Sequence, residues 1–136
     1  MDIPILGVQT QYNMETRFTL SDQLINFAVA IIKLAEKLPK SFTANHLAGQ
    51  LTRSGTAPAL HYGEAQSAES RSDFIHKMKI AVKELRETNN CLKIIDRMNW
   101  ISNNGVSAEL IECNELISIF IKSIHTAQKN RDVQKN

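Results

Sequence analysis

Histidines are the residues of this sequence best suited to acid–base chemistry or to binding a metal ion, and their spacing favours neither. Metal sites inside helical bundles combine carboxylates with histidines in Glu-x-x-His pairs, which place both side chains on one helix face. No histidine stands in such a pair, and the nearest approach is His61 with Glu64 three residues later. The four positions are His46, His61, His76 and His125. We therefore predict no metal and no cofactor.

Thiols and glycine-rich loops give no stronger sign of catalysis. Cys91 and Cys113 are the only cysteines, and both lie in amphipathic helical patterns, where a small buried thiol is common. Their spacing leaves a disulfide between them open, but a reduced protein of the cytoplasm is the simpler interpretation. Gly55 and Gly63 do not precede a Lys-Ser or Lys-Thr pair at a helix start, as a phosphate-binding loop requires. We predict that the protein is not an enzyme.

The charge distribution points to a different chemistry, the binding of phosphate groups. Residues 71–99 contain seven basic and four acidic residues, whereas the whole chain has a net charge of only +2. Six side chains of this segment recur at steps of three and four residues, with Asn90 filling the one gap, and so share one helix face. We call these six the basic stripe: His76, Lys79, Lys83, Arg86, Lys93 and Arg97.

Two interpretations of the basic stripe stay open at this point. It is either a solvated helix face, on which Glu87 would pair with Lys83, or a surface that follows a nucleic-acid backbone. Trp100 stands alone at its end, without a ladder of aromatic residues, so base-specific recognition is not predicted. Our leading hypothesis is binding of RNA or another nucleic acid through backbone phosphates. The alternative is a protein–protein interaction scaffold with no nucleic-acid role.

The elements that must position these residues are helices. The chain has 136 residues, of which 43% are hydrophobic and 22% are charged, as expected for one globular domain. Only five glycines and three prolines interrupt it, which argues against a turn-rich β fold. No apolar run approaches the ~18 residues of a membrane span, and the N-terminus lacks a secretory-signal pattern. We predict an all-α protein, an antiparallel up-down four-helix bundle.

Capping residues and prolines set the predicted boundaries of the first two helices. The first helix begins near Ser21 as its N-cap and ends before Pro39. The second helix starts after Ser41 or Thr43. Because proline lacks a backbone N–H, a kink is expected at Pro58 if the second helix continues through it.

The last two helices are separated by a turn at 103–105. The third helix starts at Ser70 or Ser72 and runs to about Asn99, and the fourth starts at Ser107. The predicted organisation is an N-terminal arm over residues 1–18, the bundle over residues 19–130 and a polar tail over residues 131–136.

Apolar residues at helical spacing give the predicted core. In the first helix they are Leu24, Phe27, Ala28, Ile31, Ala35 and Leu38, widened by Ile25 and Ile32. In the third helix they are Phe74, Met78, Val82, Leu85, Leu92 and Ile95, with Ile75, Ala81 and Cys91 beside them. The fourth helix carries more apolar surface than one core needs, and the second carries a run of small residues between Gly55 and Ala65. Both features predict self-association, since monomers seldom expose large apolar patches.

Two segments, Gln50–Ala65 and Ser70–Glu87, resemble a known protein family. It comprises bacterial four-helix-bundle proteins named after open reading frames within intervening sequences of 23S ribosomal RNA genes, and the resemblance covers roughly residues 20–125. The matching positions are Arg53, Ser54, Glu64, Asp73, Phe74 and Glu84. Three positions depart from the family pattern: Pro58, His61 and Ala65.

The resemblance implies an up-down bundle that assembles as a homopentamer. A relative of similar fold, the accessory protein of diversity-generating retroelements, binds nucleic acid and partners a reverse transcriptase. The expected partners are therefore further copies of the chain, RNA or DNA, and a nucleic-acid-processing protein, with no membrane. Among the matching positions, we interpret Arg53, Glu64 and Glu84 as a structural polar cluster where the second and third helices meet.

Overall fold

A computed structural model describes residues 19–135, and all regular secondary structure within that range is α-helical. The predicted arm over residues 1–18 lies outside the described residues, as does residue 136. The helices are α1 (Leu20–Ala35), α2 (Phe42–Gln66), α3 (Arg71–Arg97) and α4 (Ser107–Lys135). The last of these continues past residue 130, into the segment predicted as a polar tail.

Hydroxyl side chains begin the first three helices by accepting a backbone N–H that has no partner within the helix. Ser41 accepts from the N–H of Ala44 at 3.2 Å, and Ser70 accepts from the N–H of Asp73 at 3.0 Å. Both caps were among the predicted alternatives. The predicted cap Ser21 is wrong, because Thr19 caps α1 and Ser21 lies in its first turn.

Proline and glycine shape the helices less than their intrinsic preferences suggest. The last residue of α1 is Ala35, so the helix ends before Pro39 as predicted. The second helix continues through Pro58, whose ring is buried in the core. The turn between α3 and α4 uses positive φ angles at Asn103 (62°) and Gly105 (61°), the region that glycine and asparagine tolerate best.

The four helices pack in chain order around one core. Helix α1 contacts α2 and α4, helix α3 contacts the same two, and the diagonal pairs α1–α3 and α2–α4 make no close backbone approach. Short connections between sequential neighbours make the helices antiparallel. The predicted all-α up-down bundle is therefore confirmed. None of the helices among residues 19–135 is long and apolar enough to cross a membrane.

The core is built mainly from the predicted positions. The largest fully buried side chains include Leu24, Ile31, Leu51, Met78, Leu85, Leu92, Ile95, Leu116 and Phe120. The phase of α1 differs from the prediction, because Leu34 is buried while Ile25 and Ile32 face solvent. In α3, Phe74 and Val82 are only partly buried against the edge of the core.

Candidate nucleic-acid interface

The basic stripe forms a continuous exposed face of α3. All six side chains are exposed, and the stripe extends about 30 Å along the helix, from His76 to Arg97. None of the six forms a salt bridge with another residue of the described range. Lys77 shows the contrast, because it lies off the stripe and pairs with Asp73 at 3.3 Å. The stripe is therefore a row of cations whose charge the described part of the chain does not neutralise.

Glu87 does not neutralise the stripe, although its position four residues after Lys83 predicted a pair. Its carboxylate instead accepts a hydrogen bond from the guanidinium of Arg53 on α2. The cross-helix partner wins because Arg53 offers a fork of donors that also reaches Glu84, with Nη1 3.1 Å from Oε1. This removes the observation on which the interpretation of the stripe as a salt-bridged solvated face depended.

A polar groove runs along the stripe where α3 meets α4. Arg86, Asn90 and Lys93 line it from α3, and Asn114 and Ser118 line it from α4, with a cavity volume of about 420 Å³. The amide Nδ2 of Asn89 donates to Oδ1 of Asn114 at 3.0 Å and ties the two walls together. The sequence did not predict this groove, because the helical period gives each face but not the register between two helices.

The predicted polar cluster is only partly assembled. Arg53 and Glu84 meet across α2 and α3, and hydrogen bonds to Glu87 and then Glu84 raise the pKa of the Arg53 guanidinium. Gln50 lies at the edge of this group, with its Oε1 3.5 Å from Nη2 of Arg53. About half of the Arg53 side chain is exposed (52%), so the cluster is a surface feature rather than a buried one.

Glu64 is the member of the predicted cluster that the structure does not bring to Arg53. The two residues lie eleven positions apart on the continuous helix α2, which separates them by about 16 Å along its axis. The carboxylate of Glu64 is exposed and faces Nδ1 of His61 at 3.6 Å. A Glu64→Ala substitution therefore strands no buried arginine, and the large loss of stability expected for such a charge does not apply.

A buried hydroxyl pair lies directly beneath the arginine cluster. The hydroxyl of Thr88 on α3 lies 2.9 Å from Oγ of Ser54 on α2, and both side chains are fully buried. The same hydroxyl lies 2.9 Å from the backbone oxygen of Glu84. Ser54 appeared in the sequence as a motif residue without a role, and here it links two helices.

The two cysteines are buried free thiols rather than a disulfide. Burial raises the pKa of Cys113 to about 11, and its Sγ lies 3.2 Å from the backbone oxygen of Leu85. Burial also raises the pKa of Cys91. Both therefore stay protonated near neutral pH, where the thiolate is the nucleophilic form. Within residues 19–135, no three His, Cys, Asp or Glu side chains are grouped so that they could hold a metal ion.

Comparison with known proteins places this bundle in a family. The sequence matches the 23S rRNA-intervening sequence protein family over residues 17–122. The chain belongs to that family. Among solved structures, it is similar to a protein with unknown function from the S23 ribosomal protein family from Bacteroides thetaiotaomicron VPI-5482. The two are 32% identical, the match covers 78% of this chain and 98% of that chain, and the TM-score is 0.72. No curated protein matches the sequence.

Family membership confirms the resemblance inferred from the two segments of α2 and α3. The match at residues 17–122 includes the whole basic stripe, the arginine cluster and the α3 wall of the groove. It also includes Asn114 and Ser118 on the α4 wall, so the groove lies inside the family region.

Proposed function

We propose that this member of the 23S rRNA-intervening sequence protein family binds RNA or another nucleic acid through backbone phosphates. The observation that carries the proposal is the basic stripe, a row of exposed cations without salt-bridge partners among the described residues. Surface cations are ordinarily laced with acidic neighbours at three or four residues, and the one candidate here, Glu87, is occupied by Arg53. The role is one of binding, without a chemical step, in the cytoplasm.

Phosphate contacts explain why such a surface needs no aromatic residues. A nucleic-acid backbone presents regularly spaced negative charges, and lysine and arginine that neutralise them release condensed counterions. This contribution to affinity is independent of sequence, because phosphates carry no sequence information. RNA is the first ligand to test, since the family is named after intervening sequences of 23S rRNA. We expect weak, sequence-tolerant binding that falls steeply as salt rises.

The test compares two triple variants with the same change in net charge. Lys79, Lys83 and Arg86 are changed to Gln in the first, and Lys33, Lys37 and Lys40, which are exposed at the end of α1, are changed to Gln in the second. Binding to a mixed RNA pool is measured from about 50 to 200 mM salt. Each phosphate contact contributes ~0.7–0.9 to the slope of log affinity against log salt, so the first variant should lose up to about 2–3 units of slope.

The control variant should keep the wild-type slope, because its charges lie far from the stripe. Circular dichroism of both variants should show unchanged helicity, since all six positions are exposed. Wild-type protein that does not bind the RNA pool at about 50 mM salt would overturn the proposal. Equal slopes for the stripe variant and wild type would do the same and leave the protein-interaction scaffold as the better hypothesis.

We also propose that the protein associates with further copies of itself, and a specific surface supports this. Ile25, Val29 and Ile32 form an exposed apolar row on α1, at spacings that keep them on one helix face. Because α1 is diagonal to α3 in the bundle, this row points away from the basic stripe. Contacts between copies and contacts with nucleic acid can therefore form at the same time. The count of five subunits comes from the family resemblance alone.

A further inference from the structure

We propose that the groove between α3 and α4 is the seat of an RNA strand, with its phosphates against Arg86 and Lys93 and a ribose against Asn90, Asn114 and Ser118. This inference rests on the proposed function and makes it specific, because it names one part of the stripe and one kind of strand. The stripe alone offers charge along a convex helix. Only this part of it borders a concave surface, with a cavity volume of about 420 Å³.

Two cations on one wall set the distance over which a strand can be held. Arg86 and Lys93 lie two helical turns apart, about 10 Å along α3, with Asn90 between them. Neither forms a salt bridge within the described range, so both are available to an anionic ligand. Their long side chains can hold neighbouring phosphates of one strand while the sugar between them faces the groove.

The opposite wall carries neutral hydrogen-bonding groups rather than charge. Asn114 uses its Oδ1 to accept from Asn89 at 3.0 Å, which leaves its amide N–H groups available for a ligand. The Ser118 hydroxyl is exposed one turn further along α4. A ribose 2′-hydroxyl both donates and accepts, so it fits such a wall, whereas deoxyribose leaves the wall without a partner. The groove therefore favours RNA over DNA of the same sequence.

The hydrogen bond between Asn89 and Asn114 holds this wall in place before a ligand arrives. Asn89 is buried, and its partner is on the neighbouring helix, so the donor groups of Asn114 have a fixed position. Preorganised polar groups lose less entropy on binding than mobile side chains do. Ile117 lines the groove between Asn114 and Ser118 and gives it an apolar floor.

The experiment uses two double variants that change the same charge on the same helix face. Arg86→Gln with Lys93→Gln alters the groove, and Lys79→Gln with Lys83→Gln alters the stripe outside it. Affinity for a short single-stranded RNA of mixed sequence is measured from about 50 to 200 mM salt. The groove pair should lose about 1.4–1.8 units of salt slope, as two phosphate contacts predict, and the outer pair less than half of that.

A third variant tests the α4 wall without changing any charge. Ser118→Leu fills the groove, and Thr126→Leu, exposed two turns later on α4, is its matched control. Wild-type protein should prefer the RNA over DNA of the same sequence by roughly two- to tenfold, the effect of one hydrogen bond. Ser118→Leu should remove this preference and weaken RNA binding, and Thr126→Leu should leave both unchanged.

The outcomes separate the groove from the proposed function. Equal losses for the two double variants, together with unchanged binding by Ser118→Leu, would overturn the groove while the stripe remains the binding surface. Equal wild-type affinity for RNA and DNA would overturn the assignment of a ribose to the α4 wall. If wild-type protein does not bind the RNA at about 50 mM salt, the proposed function fails, and the groove inference fails with it.

Discussion

Gly55 shows at the scale of one residue how α2 fits against α1. A Cβ built at Gly55 would lie 2.6 Å from Cγ2 of Ile31, whose side chain is fully buried. Ile31 is β-branched and therefore stiff, so it cannot easily move aside. At Gly63, in the same helix, a Cβ would have no neighbour within 4 Å. Two glycines of one predicted small-residue run therefore have opposite roles, one in packing and one without a packing contact.

We predict that Gly55→Ala and Gly63→Ala change stability in opposite directions. Alanine is a better helix former than glycine by ~0.5–1 kcal/mol, which favours both substitutions. At Gly55 the clash with Ile31 costs about 1–3 kcal/mol and outweighs that gain. Urea denaturation at one protein concentration measures both variants. A Gly55→Ala protein as stable as Gly63→Ala would show that α1 and α2 do not pack this closely.

At the residue scale, the sequence predicted what depends on local chemistry. Ser41 and Ser70 were recognised as caps because a hydroxyl before a helical pattern satisfies a free N–H three residues later. The error at Glu64 has a different origin. Its place in a motif gave no information about distance, and the continuous helix through Pro58 keeps it far from Arg53. Contacts between helices depend on rotation and register, which no single helical pattern contains.

At the scale of elements, α2 and α3 are joined by a buried hydroxyl pair in an otherwise apolar seam. Ser54 and Thr88 are fully buried, and their oxygens lie 2.9 Å apart. A buried hydroxyl that loses its partner costs about 1–3 kcal/mol, whereas replacing both partners with apolar groups is nearly neutral. The pair therefore adds specificity to the α2–α3 register beyond what apolar packing supplies.

We predict that Ser54 and Thr88 are energetically coupled. Thr88→Val should destabilise the protein by about 1–3 kcal/mol, because it leaves the Ser54 hydroxyl buried with only the distant backbone oxygen of Leu51, 3.5 Å away. Ser54→Ala should cost less, since Thr88 keeps the backbone oxygen of Glu84. The double variant should be more stable than the sum of the single losses predicts, by ~0.5–1.5 kcal/mol. Strict additivity in this double-mutant cycle would contradict the coupling.

The elements themselves were largely predictable, and the exceptions have a physical cause. A polar row beside an apolar one fixes the orientation of α3, so its exposed stripe was identified from spacing alone. Helix α1 is apolar on more than one side, and its pattern fits more than one rotation. The prediction therefore added Ile25 and Ile32 to the core, whereas the structure buries Leu34 and exposes both isoleucines.

At the scale of the whole molecule, that exposed side of α1 changes where self-association is expected. The sequence pointed to α4 and to the small residues of α2. In the structure, Gly55 contacts α1 of the same chain, and Ile111 is the only residue of α4 before Val133 among the strongly exposed large apolar residues of the described range. The row Ile25, Val29 and Ile32 is instead contiguous on one helix face. An apolar face of this kind on a soluble chain marks a protein-interaction surface.

We predict that Val29→Lys dissociates the assembly. Val29 lies between Ile25 and Ile32 and is 43% exposed, so a lysine there leaves the bundle core intact but places a charge in the centre of the contact. Sedimentation equilibrium at micromolar concentration should give wild-type protein several times the chain mass of 15.3 kDa and the variant a mass close to it. Leu60→Lys on α2, an exposed leucine outside the row (69%), is the matched control and should assemble like wild type.

Dissociation should also weaken RNA binding without changing the chemistry of each stripe. Helix α3 is diagonal to α1, so the Val29→Lys monomer keeps its basic stripe and its groove. An assembly that presents several stripes to one RNA gains affinity because the later contacts are intramolecular. The monomer should therefore bind a long RNA more weakly than wild type but a short RNA with a similar affinity per subunit. A wild-type mass of 15.3 kDa, or a Val29→Lys protein that sediments like wild type, would show that this face of α1 does not hold the copies together.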